Sequence, residues 1–541
     1  MNTIRARQLL RVSAPRRNFT QTSRRNLDME PPAPQPQEPK RPSKVGAFYK
    51  TFSAPLLKCF LGALFTYQLA YFGWMKLETI EEAHDKRTEI NGLREELAGA
   101  INNKRREAEG VFDSVENKVI EGTEGAGAAG KVKKGVAHLD LPGPSVSSGL
   151  PYHVACVRHV KQIYNASRVF IIASESLSRN TDKLDLLVDA LGTENIVGIQ
   201  KGMTSHSLWS EILSVTEKAR SKQSDCIITL GAGSITDAAK LVVLCLANDI
   251  KTPTQLGTYA LGAPNPPTTI NRPSTPLVCI PTTLSGGEYF ALAGGTNDAT
   301  NQKVGFLHSG MGPDLVILDP HLCLTTPSYH WLSTGVRAVD HCVEALCSLE
   351  ATSESDERAE HGLRDLAPGL IACREDEEGA DVAARKRCQD GVRWAMENVR
   401  AGVPMGGSHA IGHQLGPLGV PHGVTSCIMC PAVMKFNVKY GAGNPEIVRR
   451  QKAIQSILWS EEQVTEVLKD GGLEAETSDL GDALGVLIQF LKLPRTLGDF
   501  QISADKIPAL AKNTLEDFWA RTNPVSLTET TQVEEILNAV R

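Results

Sequence analysis

The chain has 541 residues, more than one ordinary domain holds. At roughly 100–200 residues per domain, two to four units are expected. Hydrophobic residues make up 41% and charged residues 22%, which excludes global disorder. A net charge of -5 gives no overall basic field for nucleic acid. That charge is uneven: residues 1–50 hold eleven Lys/Arg against only Asp28, Glu30 and Glu38.

Residues 1–27 carry seven arginines, several Ser and Thr, and no acid before Asp28. This is the composition of a mitochondrial transit peptide. Residues 28–55 read as a Pro-rich spacer, with six prolines between Pro31 and Pro42. Residues 56–75 (LLKCFLGALFTYQLAYFGWM) are expected to form a single transmembrane helix, with Tyr67, Tyr71, Phe72 and Trp74 crowded towards one interface. Residues 76–144 read as a charged helix followed by a flexible Gly/Ala linker. Together these segments predict a mitochondrial protein anchored in the inner membrane. The basic flank stays in the matrix and the body faces the intermembrane space.

The globular body begins near Ser145. RVFIIAS (168–174), NIVGIQ (195–200), DCIITLG (225–231), PLVCIPT (276–282) and DLVILD (314–319) are continuous apolar runs between helical stretches. Such runs predict a parallel sheet covered on both faces. Strand signals then fade and helical patterns such as TGVRAVDHCVEALCSL take over. The body therefore divides into an α/β domain at 145–320 and a helical domain at 321–541. The twelve cysteines show no disulfide framework, and Cys427 and Cys430 form a lone CxxC read as buried thiols.

Three features carry chemistry. Strand DCIITL leads into Gly231-Ala232-Gly233-Ser234 and a helix holding Asp237 and Lys240. Small residues let backbone amides at a helix N-terminus approach a pyrophosphate. Alone, this is also what a tight βα turn capped by Ser234 would show. A second turn, Thr282-Thr283-Leu284-Ser285-Gly286-Gly287-Glu288, places hydroxyls and bare backbone at another strand's C-terminal edge, where open α/β sheets bind ligands. In the helical half, His341 is followed by His409, His413 and His422 in GSHAIGHQLGPLGVPHG. His409 and His413 are four apart and share a helical face.

GAGSITDAAK, IPTTLSGGE, DLVILDP, STGVRAVDHCVEA and SHAIGHQLGPLGVPHG occur in the order of the iron-containing alcohol dehydrogenase superfamily, over about residues 145–541. The chain resembles that group, and within it the maleylacetate reductase branch. The resemblance implies a dehydroquinate synthase-like fold: an α/β dinucleotide-binding domain, an all-helical domain and a cleft between them. It implies NAD or NADP held at Ser174, Gly231, Gly233, Ser234, Asp237, Thr282 and Thr283. It implies Fe²⁺ or Zn²⁺ at His341, His409 and His422, with His413 beside the nicotinamide.

Two departures bear on mechanism. Where the family places an aspartate ligand four residues before the helix histidine, this chain has Arg337. Asp340 lies about 60° around the helix from that position. Arg337 is permanently charged and can face a carbonyl oxygen or a substrate carboxylate bidentately, so metal-free catalysis through Arg337 and His413 is the favoured expectation. Where NAD-preferring members carry an aspartate for the ribose, this chain has Ser174, which relaxes discrimination against NADP.

The expected function is NAD(P)-dependent hydride transfer to or from a carbonyl or alcohol. The expected partners are that small substrate, a membrane for the N-terminal segment and a second copy of the chain, with no nucleic acid. The alternatives are an inactive, dehydrogenase-like membrane scaffold and a joined product of two genes.

Overall fold

The computed structural model describes residues 143–204, 207–300 and 302–541. The transit peptide, spacer, transmembrane helix and nearly all of the charged helix and linker expected over 1–144 lie outside the described residues. Among the described residues, no helix is long and apolar enough to cross a membrane.

All five expected strands form. They are β2 (Val169–Ala173), β3 (Ile196–Lys201), β4 (Cys226–Gly231), β5 (Leu277–Pro281) and β8 (Leu315–Leu318). With β1 (Ser145–Ser148) they build a six-stranded sheet in the order β1-β8-β5-β4-β2-β3, parallel at every pairing. A hairpin, β6 (Leu292–Asn297) and β7 (Gln302–Leu307), is antiparallel and separate from that sheet.

The helices of this half are α1 (Tyr152–Gln162), α2 (Glu175–Asn180), α3 (Lys183–Leu191), α4 (Trp209–Ser221), α5 (Gly233–Ala247) and α6 (Pro253–Thr258). The pleat explains the continuous apolar strands. Phe170 and Ile172 of β2 enter a core with α4 and α5, whereas Val169, Ile171 and Ala173 enter another with α1 and α3. Successive side chains point to opposite faces, and both faces are dry. From β2 the chain moves outward to β3, then returns to β4 and runs the other way through β5 and β8. The carboxyl ends of β2 and β4 therefore mark a topological switch point, the crevice where such sheets take ligands.

After β8 only helices follow: α7 (Pro320–Cys323), α8 (Ser328–Cys347), α9 (Ser353–Glu375), α10 (Val382–Arg400), α11 (Gly407–Leu415), α12 (His422–Gly441), α13 (Pro445–Ser460), α14 (Glu462–Asp470), α15 (Leu480–Phe490), α16 (Ile507–Thr514), α17 (Phe518–Thr522) and α18 (Thr530–Ala539), with short 3₁₀ turns between some of them. Helix α8 is buried almost all round and packs against α9, α10, α12 and α13. A helix buried on every side is the axis of its domain, so polar residues on it must find partners inside.

Candidate functional site

The first nucleotide turn is built at the end of β4. Helix α5 starts at Gly233 with Ala232 as its N-cap, and no side chain caps it. Ser234 sits inside the helix rather than at the cap, so the alternative role suggested by sequence is not realised. Its carbonyl accepts a hydrogen bond from Ser207 Oγ at 2.9 Å. Uncapped amides at the head of a long helix suit an anion.

The surrounding backbone is tight. Gly231 has φ +155°, and a Cβ there would lie 2.8 Å from Ile235 Cδ1 and 3.1 Å from Ser174 Cβ. A Cβ on Gly233 would meet Ser285 Oγ at 2.7 Å, so the two expected nucleotide turns touch. The Thr282 N–H donates to Gly231 O at 3.1 Å and the Ser174 N–H to Leu230 O at 2.9 Å. Ser174, Gly231, Gly233, Ser234, Thr282 and Thr283 are thus gathered at one sheet edge. Ser174 also caps α2, and its hydroxyl meets Ser176 Oγ at 3.1 Å. Glu175 beside it is exposed and paired with Arg179.

Asp237 is engaged within the protein. One carboxylate oxygen accepts from Lys240 Nζ at 3.2 Å, the other from the Gly294 N–H at 3.3 Å. Lys240, fully buried, also donates to Leu292 O at 2.7 Å. These bonds tie the β6–β7 hairpin to the nucleotide helix.

Glu288, unremarked in the sequence beyond its place in the second turn, is buried beside them, its Oε2 without a partner among the described residues. Desolvation pushes its carboxyl up to about 7, against the opposing pull of the Lys240 ammonium. The native state thus holds this proton more tightly than the unfolded chain. Its contribution to stability is complete below the ordinary carboxylate range and is lost as pH rises through about 7. Glu288→Gln should remove that loss. Between about pH 5 and pH 8, its unfolding free energy should fall less than the wild type's, by up to about 3 kcal/mol. Urea titrations across that range measure it; parallel profiles would show that Glu288 ionises normally.

The histidines converge in the helical half. Helix α8 supplies Arg337, Asp340, His341 and Glu344, α11 supplies His409 and His413, and α12 begins at His422. The rings of His341 and His409 have centroids 4.6 Å apart, and those of His413 and His422 stack at 6.2 Å. Trp519 of α17 lies 5.6 Å from His409 and 5.2 Å from His413. Burial holds His341 and His409 neutral; His422, exposed at the head of α12, is held down first by the Arg337 charge. Lys303 of β7 adds to that effect on His422, which brings the hairpin towards this cluster.

Two carboxylates that sequence reasoning did not assign orient the rings. Glu344 accepts from His409 Nδ1 at 2.7 Å and from the N–H groups of Gly406 and Ser408 at 2.9 and 2.8 Å. A side chain of α8 thereby caps α11, which has no cap of its own. Asp517 accepts from His413 Nδ1 at 2.9 Å and also caps α17 through the Trp519 N–H. With Nδ1 pinned, His409 Nε2 is buried without a partner among the described residues, as is His341 Nδ1. The spacing of Asp340 and Glu344, three and seven residues beyond Arg337, was the available signal for one shared helix face.

Arg337 is buried within this group. Its Nη1 donates to Thr425 Oγ1 at 3.3 Å and Ser426 Oγ at 3.2 Å on α12. Ser426 and Ser408 hydroxyls in turn donate to Asp340 Oδ2 at 2.6 and 2.8 Å. Burial lowers the guanidinium's pKa, while Asp340 and then Glu344 counter it. Oxygens of Asp340 and Glu344 and a nitrogen of His409 lie within 4.8 Å of one another. Glu344 hydrogen-bonds His409 Nδ1 and Asp340 lies 3.3 Å from the same nitrogen, so the two carboxylates support the His409 ring.

Family comparisons agree with this layout. Residues 152–320 match the model "Iron-containing alcohol dehydrogenase" and residues 331–540 match "Fe-containing alcohol dehydrogenase family, C-terminal". Residues 50–101 match a different model, "INA17 C-terminal domain". The chain is 37% identical to dehydrogenase FUM7 of Gibberella moniliformis over 72% of its own length and 95% of that protein. It is 38% identical to dehydrogenase ALT3 of Alternaria alternata, over 70% and 100%. The fold matches an iron-containing alcohol dehydrogenase of Thermococcus thioreducens (TM-score 0.61, 23% identity, 73% of this chain and 98% of that one). It also matches a maleylacetate reductase of Rhizobium sp. strain MTP-10005 (TM-score 0.57, 20% identity, 76% and 98%). Both halves of the fold, and with them both halves of the site, fall within one family: the chain belongs to the iron-containing alcohol dehydrogenases, NAD(P)-dependent oxidoreductases whose second cofactor is a divalent metal.

Proposed function

We propose that this oxidoreductase interconverts a carbonyl and an alcohol on a small substrate that also carries a carboxylate. Arg337 carries the reading: a guanidinium buried among the histidines, countered within the protein by Asp340 and Glu344, whose planar fork would also take a substrate carboxylate. The fold shared with a maleylacetate reductase supports it.

Bound NAD(P)H supplies the hydride. Amides of Gly233 and Ser234 would hold its pyrophosphate at a turn that Gly231 keeps free of a side chain, Thr282 and Thr283 would close the second side, and Ser174 would lie towards the ribose. Asp237 acts at one remove, by fixing the hairpin against α5. His413, oriented by Asp517, presents Nε2 to move the proton of the hydroxyl group. The donors fit a metal in kind, since His341, His409 and His422 are neutral and His341 Nδ1 and His409 Nε2 lack partners among the described residues, although the three do not bring their ligand atoms within 4.8 Å of one another as Asp340, Glu344 and His409 do. These residues would hold Fe²⁺ or Zn²⁺, which polarises a carbonyl oxygen when bound.

A panel of aldehydes, ketones and 4-oxo acids, run with NADH and NADPH and with or without chelator, tests the assignment. The 4-oxo acids should exceed uncharged ketones of equal length by at least about tenfold in kcat/KM. Equal values would remove the carboxylate from the proposal. Ser174→Asp should shift preference from NADPH towards NADH, because a carboxylate repels the 2′-phosphate. An unchanged NADPH/NADH ratio would place the ribose elsewhere.

The basic N-terminus and apolar stretch support mitochondrial inner-membrane anchoring, with the body facing the intermembrane space, and a homodimer is the assembly proposed. A second reading of the whole chain rests on a specific observation. Residues 50–101 match an unrelated model, while the two dehydrogenase relatives are covered over 95% and 100% of their length by 72% and 70% of this chain. That pattern supports a joined product of two genes. Mass spectrometry of native peptides spanning residues 115–150 decides it, since two separate proteins yield no spanning peptide.

A further inference from the structure

The second nucleotide turn leaves the sheet at the end of β5, yet its side chains belong to the helical half. Leu284 and Tyr289 enter the core built around α8, together with Trp331, Leu332 and Val336, and neither core of the sheet. Leu284 seats against Gly335 of α8, where a Cβ would lie 3.0 Å from Leu284 Cδ1. Gly286 packs on α10, where a Cβ would meet Met396 Cγ at 2.7 Å.

Two threonines of the helical half bond to the backbone of this turn. Thr326, buried just ahead of α8, donates its hydroxyl to Thr282 O at 2.6 Å. Thr334, in the second turn of α8, accepts from the Leu284 N–H at 3.1 Å. Its own hydrogen is committed one turn back along the helix, to His330 O at 2.7 Å. That bond fixes the rotamer and leaves a lone pair for the Leu284 amide. The Thr282 N–H meanwhile donates to Gly231 O at 3.1 Å. The turn is therefore a strap. One end is tied to the first nucleotide turn, and the other to the helix that carries Arg337 and His341. Those residues lie three and seven positions beyond Thr334, on the same helical face.

We propose that Thr326 and Thr334 are positioning residues for hydride transfer. They register the turn that holds the cofactor against α8, and so set the nicotinamide against Arg337 and the histidines. The inference rests on the nucleotide reading of the second turn. Neither threonine has to touch cofactor or substrate. The uncapped amides at the head of α5 take the pyrophosphate without them. Loosening the strap should therefore leave most of the cofactor affinity and lose alignment. Hydride transfer needs its reacting atoms about 3–3.5 Å apart, and a misplacement of about 1 Å costs on the order of a hundredfold in rate.

Thr334→Val keeps the shape of the side chain and removes the acceptor. Thr326→Val frees the Thr282 carbonyl from the other side, so the strap can be tested even if one variant fails to fold. Single-turnover stopped flow at saturating NAD(P)H reads the hydride step. The carbonyl is a 4-oxo acid or, if the acid is not turned over, the fastest aldehyde of the same panel. Fluorescence titration reads cofactor affinity. Each valine variant should lose at least about tenfold in the hydride step, while its dissociation constant for NAD(P)H stays within about threefold of the wild type's. Thr334→Ser, which keeps the hydroxyl, should recover most of the rate. Wild-type hydride rates in the folded valine variants would overturn the proposal. So would a loss confined to cofactor affinity, or a Thr334→Ser chain as slow as Thr334→Val. A wild type that binds no NAD(P)H would remove the nucleotide reading, and the proposal with it.

Discussion

Gly233→Val is expected to abolish NAD(P)H binding, weakening it at least about a hundredfold, or roughly 3 kcal/mol. A Cβ on Gly233 already meets Ser285 Oγ at 2.7 Å, and valine adds two methyl groups beyond it. The substitution therefore forces the first turn away from the second and covers the amides that α5 leaves uncapped. Ser285→Gly in the same chain separates these effects. It relieves the internal clash and leaves the methyl groups over the amides, so affinity should stay low while thermal stability recovers. Fluorescence titration with NADH and NADPH reads affinity, and far-UV circular dichroism confirms the fold. Wild-type affinity in a folded Gly233→Val chain would place the pyrophosphate elsewhere.

How legible each part of the structure was in sequence follows from where its stabilising contacts lie. β2, β4 and β5 are buried on both faces, so their apolar runs were self-announcing. β1 reads SVSS at a sheet edge, and its identity as a strand comes from parallel pairing with β8, far along the chain. β6 reads LAGGTN, whose adjacent glycines suggest a loop; it becomes a strand because β7 pairs with it and Lys240 holds its first carbonyl. The histidines were legible because local spacing placed His409 and His413 on one helix. Their orienting carboxylates were not, because Glu344 meets His409 across 65 positions and Asp517 meets His413 across 104. Ser234 looked like a cap because serine commonly is one; the backbone starts the helix one residue before it, at Gly233.

Arg337→Asp is expected to move the protein in two directions at once. In the wild type the guanidinium is the positive counter-charge to buried Asp340 and Glu344, whose pKa values burial already raises. Replacing it places a third carboxyl beside those two and removes the cation, so the variant without metal should be less stable. The same change adds an anionic oxygen beside three neutral histidines, the donor set a divalent ion favours. Affinity for Fe²⁺ or Zn²⁺ should rise, and added metal should restore much of the lost thermal stability. On a 4-oxo acid, kcat/KM should fall by about 3 kcal/mol, a little over a hundredfold, since a buried bidentate contact becomes a repulsion. On an uncharged aldehyde the fall should be smaller, which separates carboxylate binding from general damage. Arg337→Lys keeps the charge without the planar fork and should be impaired chiefly on the acid. His409→Asn should reduce metal content and activity together, whereas a purely packing histidine would leave both nearly unchanged. Elemental analysis beside kcat/KM for the two substrate classes distinguishes these outcomes. Equal losses on acid and aldehyde in Arg337→Asp would assign the guanidinium to holding Asp340 and Glu344 in place and deny it a contact with substrate.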